Sequence, residues 1–193
     1  MKRKEKLIQI LSGHRFLLRD LKAVQRLQLP EWCIAAGYVR NFVWDFLHAK
    51  IDETPLNDVD VLYYDLNDLS ETTEKDYEKL LKQEIDKYNW SVKNQARMHD
   101  KNNEAQYRSV EEAMRRWPET ATSIGVSLEE TTDQLRIIAP QGLDDLFNLV
   151  IRKSPLFKDQ DYFQRRVREK EWLSKWPLLK MEVSGNEDHF STT

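Results

Sequence analysis

Two aspartates two positions apart, Asp58 and Asp60 in Asn57-Asp58-Val59-Asp60-Val61, are the residues whose type and spacing first point to chemistry. In a strand, residues i and i+2 project to the same face, so both carboxylates would stand together while Val59 and Val61 turn into a core. Adjacent carboxylates repel each other unless a cation joins them, and a hard divalent ion such as Mg²⁺ or Mn²⁺ takes oxygen ligands of this kind. The bland reading is a solvated strand end, since Asn57-Asp58 is also turn chemistry. Upstream, Trp32 to Ala36 is a short apolar run suited to a buried strand, and Gly37 then opens a helix of about 38 to 49. The unpaired N–H groups at such a helix start can hold an anion such as a triphosphate. Ala36, Gly37 and Arg40 are therefore candidate phosphate-binding residues. Against this stand a plain strand-to-helix turn and a surface helix cation.

The elements that must position these residues follow from periodicity. Residues 4 to 28 carry a helical apolar stripe (Leu7, Ile10, Leu11, Leu17, Leu18, Leu21, Val24, Leu27), with a break predicted at Ser12-Gly13. Strands are predicted at 32–36, about 58–64 and 90–93. A helix from Ser70–Thr73 to about Lys87 is predicted between the last two. This alternation builds a small mixed α/β sheet with flanking helices. The stretch from Asn94 to Gln106 reads as a polar loop. Ser109 with Glu112 forms a capping box for a short helix, and Pro118 stops it. Strands at Thr122 to Ser127 and Leu135 to Ala139 precede helices at about 143–152 and 159–175. The last of these has one basic side made of Arg165, Arg166, Arg168 and Lys170. The tail from Glu182 is polar and predicted to fray.

Ala36-Gly37-Tyr38-Val39-Arg40-Asn41 resembles the Gly-Gly-x-Val-Arg-Asp signature of poly(A) polymerases and CCA-adding enzymes, and Asp58-Val59-Asp60 resembles their Asp-x-Asp metal motif. The arrangement is similar to the polymerase-β-like nucleotidyltransferase superfamily. A longer match, to a bacterial branch of nucleotidyltransferase-like proteins without an assigned substrate, rests on five segments. They are 36–45, 57–61, Asn94-Gln95-Ala96-Arg97-Met98-His99, Trp117-Pro118-Glu119-Thr120 and 139–147. The resemblance implies one nucleotidyltransferase-like domain over 1–181, with a core at 30–94 and a mostly helical elaboration at 95–181. It also implies Mg²⁺ or Mn²⁺ on Asp58 and Asp60, and a nucleoside triphosphate as substrate. The acceptor and the oligomeric state stay open.

Four departures from the pattern stand out. Ala36 replaces a glycine, Asn41 replaces an aspartate, and the loop 49–57 is an insertion. The third strand, where the superfamily places an acid, reads Trp90-Ser91-Val92-Lys93-Asn94 and contains none. Asp86 and Asp100 flank it, Lys93 could bind phosphate, and Asn94 and Arg97 could contact substrate. His99 reads as a structural hydrogen-bonding residue.

Composition narrows the partners. With 193 residues, 40% hydrophobic and 33% charged, the chain can bury a core. A net charge of −3 lacks the global basic bias of general nucleic-acid binders. Cys33 is the only cysteine, so an internal disulfide is excluded. No apolar run approaches a membrane span and no signal-peptide core follows the first residues, so a cytoplasmic location is expected. Two functions remain: a metal-dependent nucleotidyltransferase, or a nucleotide-binding or interaction module that kept the fold without the third carboxylate.

Overall fold

The computed structural model describes residues 2–182. Helices α1 (Arg3–Leu11) and α2 (Leu17–Gln25) are separated at Ser12-Gly13, as the weak helix propensity there predicts. Strand β1 (Cys33–Ala35) leads directly into α3 (Gly37–Leu47). A connection then reaches β2 (Val59–Tyr63), α4 (Glu71–Glu84) and β3 (Trp90–Asn94). Ser70 caps α4, accepting the Thr72 N–H at 3.1 Å.

Strands β4 (Gly125–Leu128) and β5 (Leu135–Ile138) complete a five-stranded mixed sheet of order β3-β2-β1-β4-β5. Only the β2–β3 pair is parallel; β1 runs antiparallel to both β2 and β4. One sheet face packs on α1 to α4 through Leu7, Leu21, Val39, Val43, Val59 and Val61. A smaller apolar cluster of Cys33, Ala35, Leu62, Val110 and Met114 holds α6 (Val110–Met114) to the opposite face. Ser109 accepts the Glu112 N–H at 3.0 Å, as the capping box predicts. Among the described residues no helix is long and apolar enough to cross a membrane.

The second half departs from expectation in four places. The polar stretch after β3 is helical, α5 (Gln95–Asn102), because Asn94 caps it and Asn103 ends it in the left-handed region with φ 51°. The strand expected from Thr122 starts later, after a 3-10 turn at Thr120–Thr122. The helix expected at 143–152 is a single turn, α7 (Asp144–Phe147). Leu149 at φ 57° ends it, and strand β6 (Val150–Arg152) follows. That strand pairs in parallel with β7 (Lys180–Glu182), a partner too distant in sequence for local pattern to show. The helix expected at 159–175 is two helices, α8 (Gln160–Glu169) and α9 (Trp172–Lys175), split at Glu171 with φ 54°. The polar tail was expected to fray from Glu182, but Glu182 closes β7; the rest of that tail, from 183 onward, lies outside the described residues.

Candidate active site

The chain turns from β1 into α3 at Ala36, whose φ of 57° and ψ of −122° are glycine-like geometry. The strained turn thus falls one residue before Gly37, which opens α3. A Cβ at Gly37 would meet only ordinary contacts, the nearest being Leu56 at 3.6 Å. Glycine at 37 instead leaves bare backbone facing the cavity. Ala36 is held there by its N–H on the Ile124 carbonyl at 3.2 Å, and its own carbonyl accepts the Arg40 N–H at 3.0 Å. No side chain caps the start of α3, so its first N–H groups have no acceptor within the helix.

Arg40, one turn into α3, is buried. Its two terminal nitrogens donate to neutral oxygens, Thr122 Oγ1 at 2.9 Å and Asn41 Oδ1 at 2.8 Å. Its Nε is buried with no hydrogen-bond partner. The guanidinium lies over Trp172 at 4.5 Å and Trp44 at 5.2 Å. Burial pulls it down to about 10; Glu119, Asp60 and Asp58 oppose that shift, while Arg166 adds to it. A desolvated cation hydrogen-bonded only to neutral oxygens is suited to an incoming anion.

Asp60 lies on β2 and Asp58 immediately precedes it; both line one cavity of about 320 Å³ together with Ala36, Gly37 and Arg40. Burial first, and then repulsion from Asp58, push the Asp60 carboxyl up to about 6, with Arg40, Arg166 and the Ser91 hydroxyl offsetting only part of this. Two carboxylates that repel each other in a partly buried cavity fit a divalent cation held between them. Ser91 is the β3 residue in register with Asp60. Among the described residues no group of three potential metal-ligating side chains occurs. Asp86 and Asp100 do not line this cavity; they are exposed, beside Lys82 at 2.8 Å and His99 at 3.1 Å.

The rest of the cavity wall comes from the C-terminal part. Arg166, Lys170 and Lys175 add three cations, so with Arg40 four line the cavity that also holds the two carboxylates. Trp172 and Trp176 dock α9 on α3, with ring centroids 5.9 and 5.2 Å from Trp44. Buried Asp45 fixes the loop above the cavity. It accepts from Thr54 N at 2.6 Å, Thr54 Oγ1 at 2.7 Å and Trp176 Nε1 at 2.7 Å. Arg166 is aimed by buried Glu119, which accepts from its Nε at 2.8 Å. The basic side predicted for the last helix signalled Arg166 and Lys170, while nothing in the sequence pointed to Lys175.

Lys93, Asn94 and Arg97 are placed elsewhere. Lys93 donates to Glu78 at 3.0 Å and lines a neighbouring cavity. Asn94 is buried and fully used: its amide donates to the carbonyls of Asp65 and Asp68, and its oxygen accepts from Asp65 and Ala96 N–H. Arg97 is clamped by Glu74 at 2.7 Å and Glu71 at 2.7 Å. Neither Asn94 nor Arg97 is brought to the cavity that holds Asp58 and Asp60.

Residues 22–181 match a family model described as nucleotidyltransferase. No curated protein matches the chain. An NMR structure described as revealing a CCA-adding enzyme head domain is 30% identical, with a TM-score of 0.79 over 93% of this chain and 96% of that one. A CCA-adding enzyme in complex with CTP is 14% identical, with a TM-score of 0.58 over 93% of this chain and 43% of that one. The Thermotoga maritima CCA-adding enzyme complexed with tRNA has the same identity and TM-score, with 42% of its length covered. This chain thus spans less than half of those two enzymes, and at that identity the likeness concerns the fold.

Proposed function

This chain belongs to the nucleotidyltransferase family, and from that premise we propose that it transfers a nucleoside monophosphate from a nucleoside triphosphate to an acceptor hydroxyl. The observation that carries the reading is the meeting of Asp58, Asp60, the bare backbone at Gly37 and buried Arg40 around one cavity. The triphosphate lies against the start of α3, where the free N–H groups and the helix dipole favour negative charge. Arg40, Arg166 and Lys170 neutralise the phosphates. Structures of similar fold described with CTP and with ATP support this donor class.

Asp58 and Asp60 would hold Mg²⁺ or Mn²⁺, which when bound supplies charge neutralisation at the transferring phosphate. In the reaction the acceptor oxygen bonds to the α-phosphorus as the bond from that phosphorus to the bridging oxygen breaks. Pyrophosphate leaves and the hydroxyl proton passes to water. Thr54 to Asn57 and the tryptophans of α9 line the site, and Asp45 keeps them in place.

A second reading, a nucleotide-binding module without transfer, is favoured by one observation: a serine, not an acid, stands in register with Asp60. Calorimetric titration of triphosphate with and without Mg²⁺, on the parent and on Asp58→Asn, tests the site, and pyrophosphate release separates the readings. Metal-dependent binding lost in Asp58→Asn supports the carboxylate site. Binding that ignores both the metal and the substitution overturns it. Binding without pyrophosphate release from any triphosphate, across varied acceptors, selects the module.

A further inference from the structure

Tyr162, Arg166 and Lys170 follow one another at intervals of four, and all line the cavity that holds Asp58 and Asp60. Four residues are a little over one helical turn, so the three form one row along α8, with a rise of about 6 Å per step. Buried Phe163 and Val167 seat α8 on the core, and Asp159 accepts the Tyr162 N–H at 2.7 Å, so the row is fixed from its first residue. Tyr162 also lines the neighbouring cavity, as Asp60 does, whereas Arg166 and Lys170 do not. The row therefore runs from two cations to a tyrosine at the Asp60 end. A triphosphate with its outer phosphates on Arg166 and Lys170 has its α-phosphorus toward Asp60 and Tyr162.

The hydroxyl groups around this point differ in what they already do. Thr54 Oγ1 donates to Asp45 at 2.7 Å, and Thr122 Oγ1 accepts from Arg40 at 2.9 Å. Tyr107 is buried, donating to Glu104 at 2.5 Å and accepting from Asn102 at 3.0 Å. The Ser91 hydroxyl is bonded to Asp60 itself. Tyr162, among the described residues, is hydrogen-bonded through its backbone N–H alone. It is 38% exposed, so a bound reagent can reach it. Its ring is nonetheless held, by Phe157 with centroids 5.6 Å apart and by the Arg165 guanidinium 5.6 Å from its centroid. An oriented ring whose hydroxyl is unused is a nucleophile already in place, since tyrosine oxygen is among the side-chain groups that form covalent intermediates.

We propose that the chain nucleotidylylates itself on the Tyr162 hydroxyl. The inference rests on the donor site proposed above, which supplies the nucleoside triphosphate. The phenolic oxygen bonds to the α-phosphorus as the bond from that phosphorus to the oxygen bridging the β-phosphorus breaks. Pyrophosphate leaves, and the phenol proton passes to the water of the open cavity. The product is a tyrosine phosphodiester carrying one nucleoside monophosphate, formed once per chain. The attached nucleotide stands between Asp60 and the neighbouring cavity, so the modification limits the access of any other acceptor.

The test incubates the whole chain with each common ribonucleoside triphosphate, labelled at the α-phosphate, and Mg²⁺. Protein-bound label is read, and peptide mass locates it. The parent should take up at most one nucleotidyl group per chain, on Tyr162, and the label should survive acid as an oxygen-linked phosphodiester does. Tyr162→Phe keeps the ring and removes the hydroxyl. The label should then be lost, while the calorimetric affinity for triphosphate and the melting temperature match the parent's. The inference is overturned if triphosphate binds the parent with Mg²⁺ but no label forms, or if Tyr162→Phe labels as the parent does. A label lost in acid overturns it too, because that marks a phosphoramidate on Lys158 or Lys170. Failure of every triphosphate to bind the parent overturns the donor site, and this inference with it.

Discussion

Ser91 stands in register with Asp60 across the parallel pairing of β2 and β3, so the two side chains share a face of the sheet. This is where a third carboxylate would complete a metal-binding set, and serine supplies a hydroxyl instead. Ser91→Asp adds the missing charge. In the metal-free protein a third acid beside Asp58 and Asp60 increases repulsion, so the melting temperature should fall, and Mg²⁺ or Mn²⁺ should restore it. Metal affinity should rise about tenfold or more, and pyrophosphate release with it. A variant whose melting temperature ignores metal would show that the three positions do not converge on one ion.

Arg40 carries a charge that the folded protein buries without a hydrogen-bonded carboxylate. Replacing such a group by an apolar one of similar length removes a desolvation cost along with two hydrogen bonds to neutral oxygens. Arg40→Met should therefore change thermal stability little while weakening triphosphate binding by about 2 kcal/mol, the scale of a bond to a charged group. Affinity for the bare nucleoside should be unchanged. Equal losses for both ligands would mean that Arg40 acts through the fold.

The parts of this site that depend on local pattern were legible in the sequence. The apolar run before Gly37, the Asp-x-Asp alternation and the α/β order each express a short-range period, and the sheet follows from them. What could not be read depends on contacts made across the fold. Arg166, Lys170 and Lys175 reach the cavity because Trp172 and Trp176 seat α9 on Trp44. Arg97 reads as a free phosphate clamp until α4 presents Glu71 and Glu74, one turn apart, to engage it. Asn94 reads as a substrate amide in a loop, yet it is the cap that makes that stretch a helix. The strand β6 forms because β7 comes back beside it.

Ala36 holds a backbone conformation that glycine favours, and such strain costs on the order of 1–3 kcal/mol. Ala36→Gly relieves it and loses up to about 1 kcal/mol through the freer unfolded chain. The net expectation is a gain of about 1 kcal/mol in denaturant unfolding, with triphosphate affinity kept or improved because the backbone path is unchanged. A loss of stability would mean that the Ala36 methyl contributes packing larger than its strain.

The last prediction concerns pH and uses the shifted carboxyl itself. Asp60 titrates near 6 in the folded protein against 3.8 ordinarily, raised first by burial and then by Asp58. Between those two values the folded state holds a proton that the unfolded state has released. Stability therefore falls as pH rises through this window: the contribution is fully present below about 3.8 and lost above about 6. After discounting for partial exposure, the loss is about 1–2 kcal/mol. Asp60→Asn removes both the titration and the repulsion from Asp58. In the absence of metal, the variant should gain over the parent as pH rises from 4 to 7. The measurement is chemical denaturation of both proteins across that range in the presence of a chelator. Parallel pH profiles for the two would show that Asp60 is ionised throughout and that its neighbours already neutralise it.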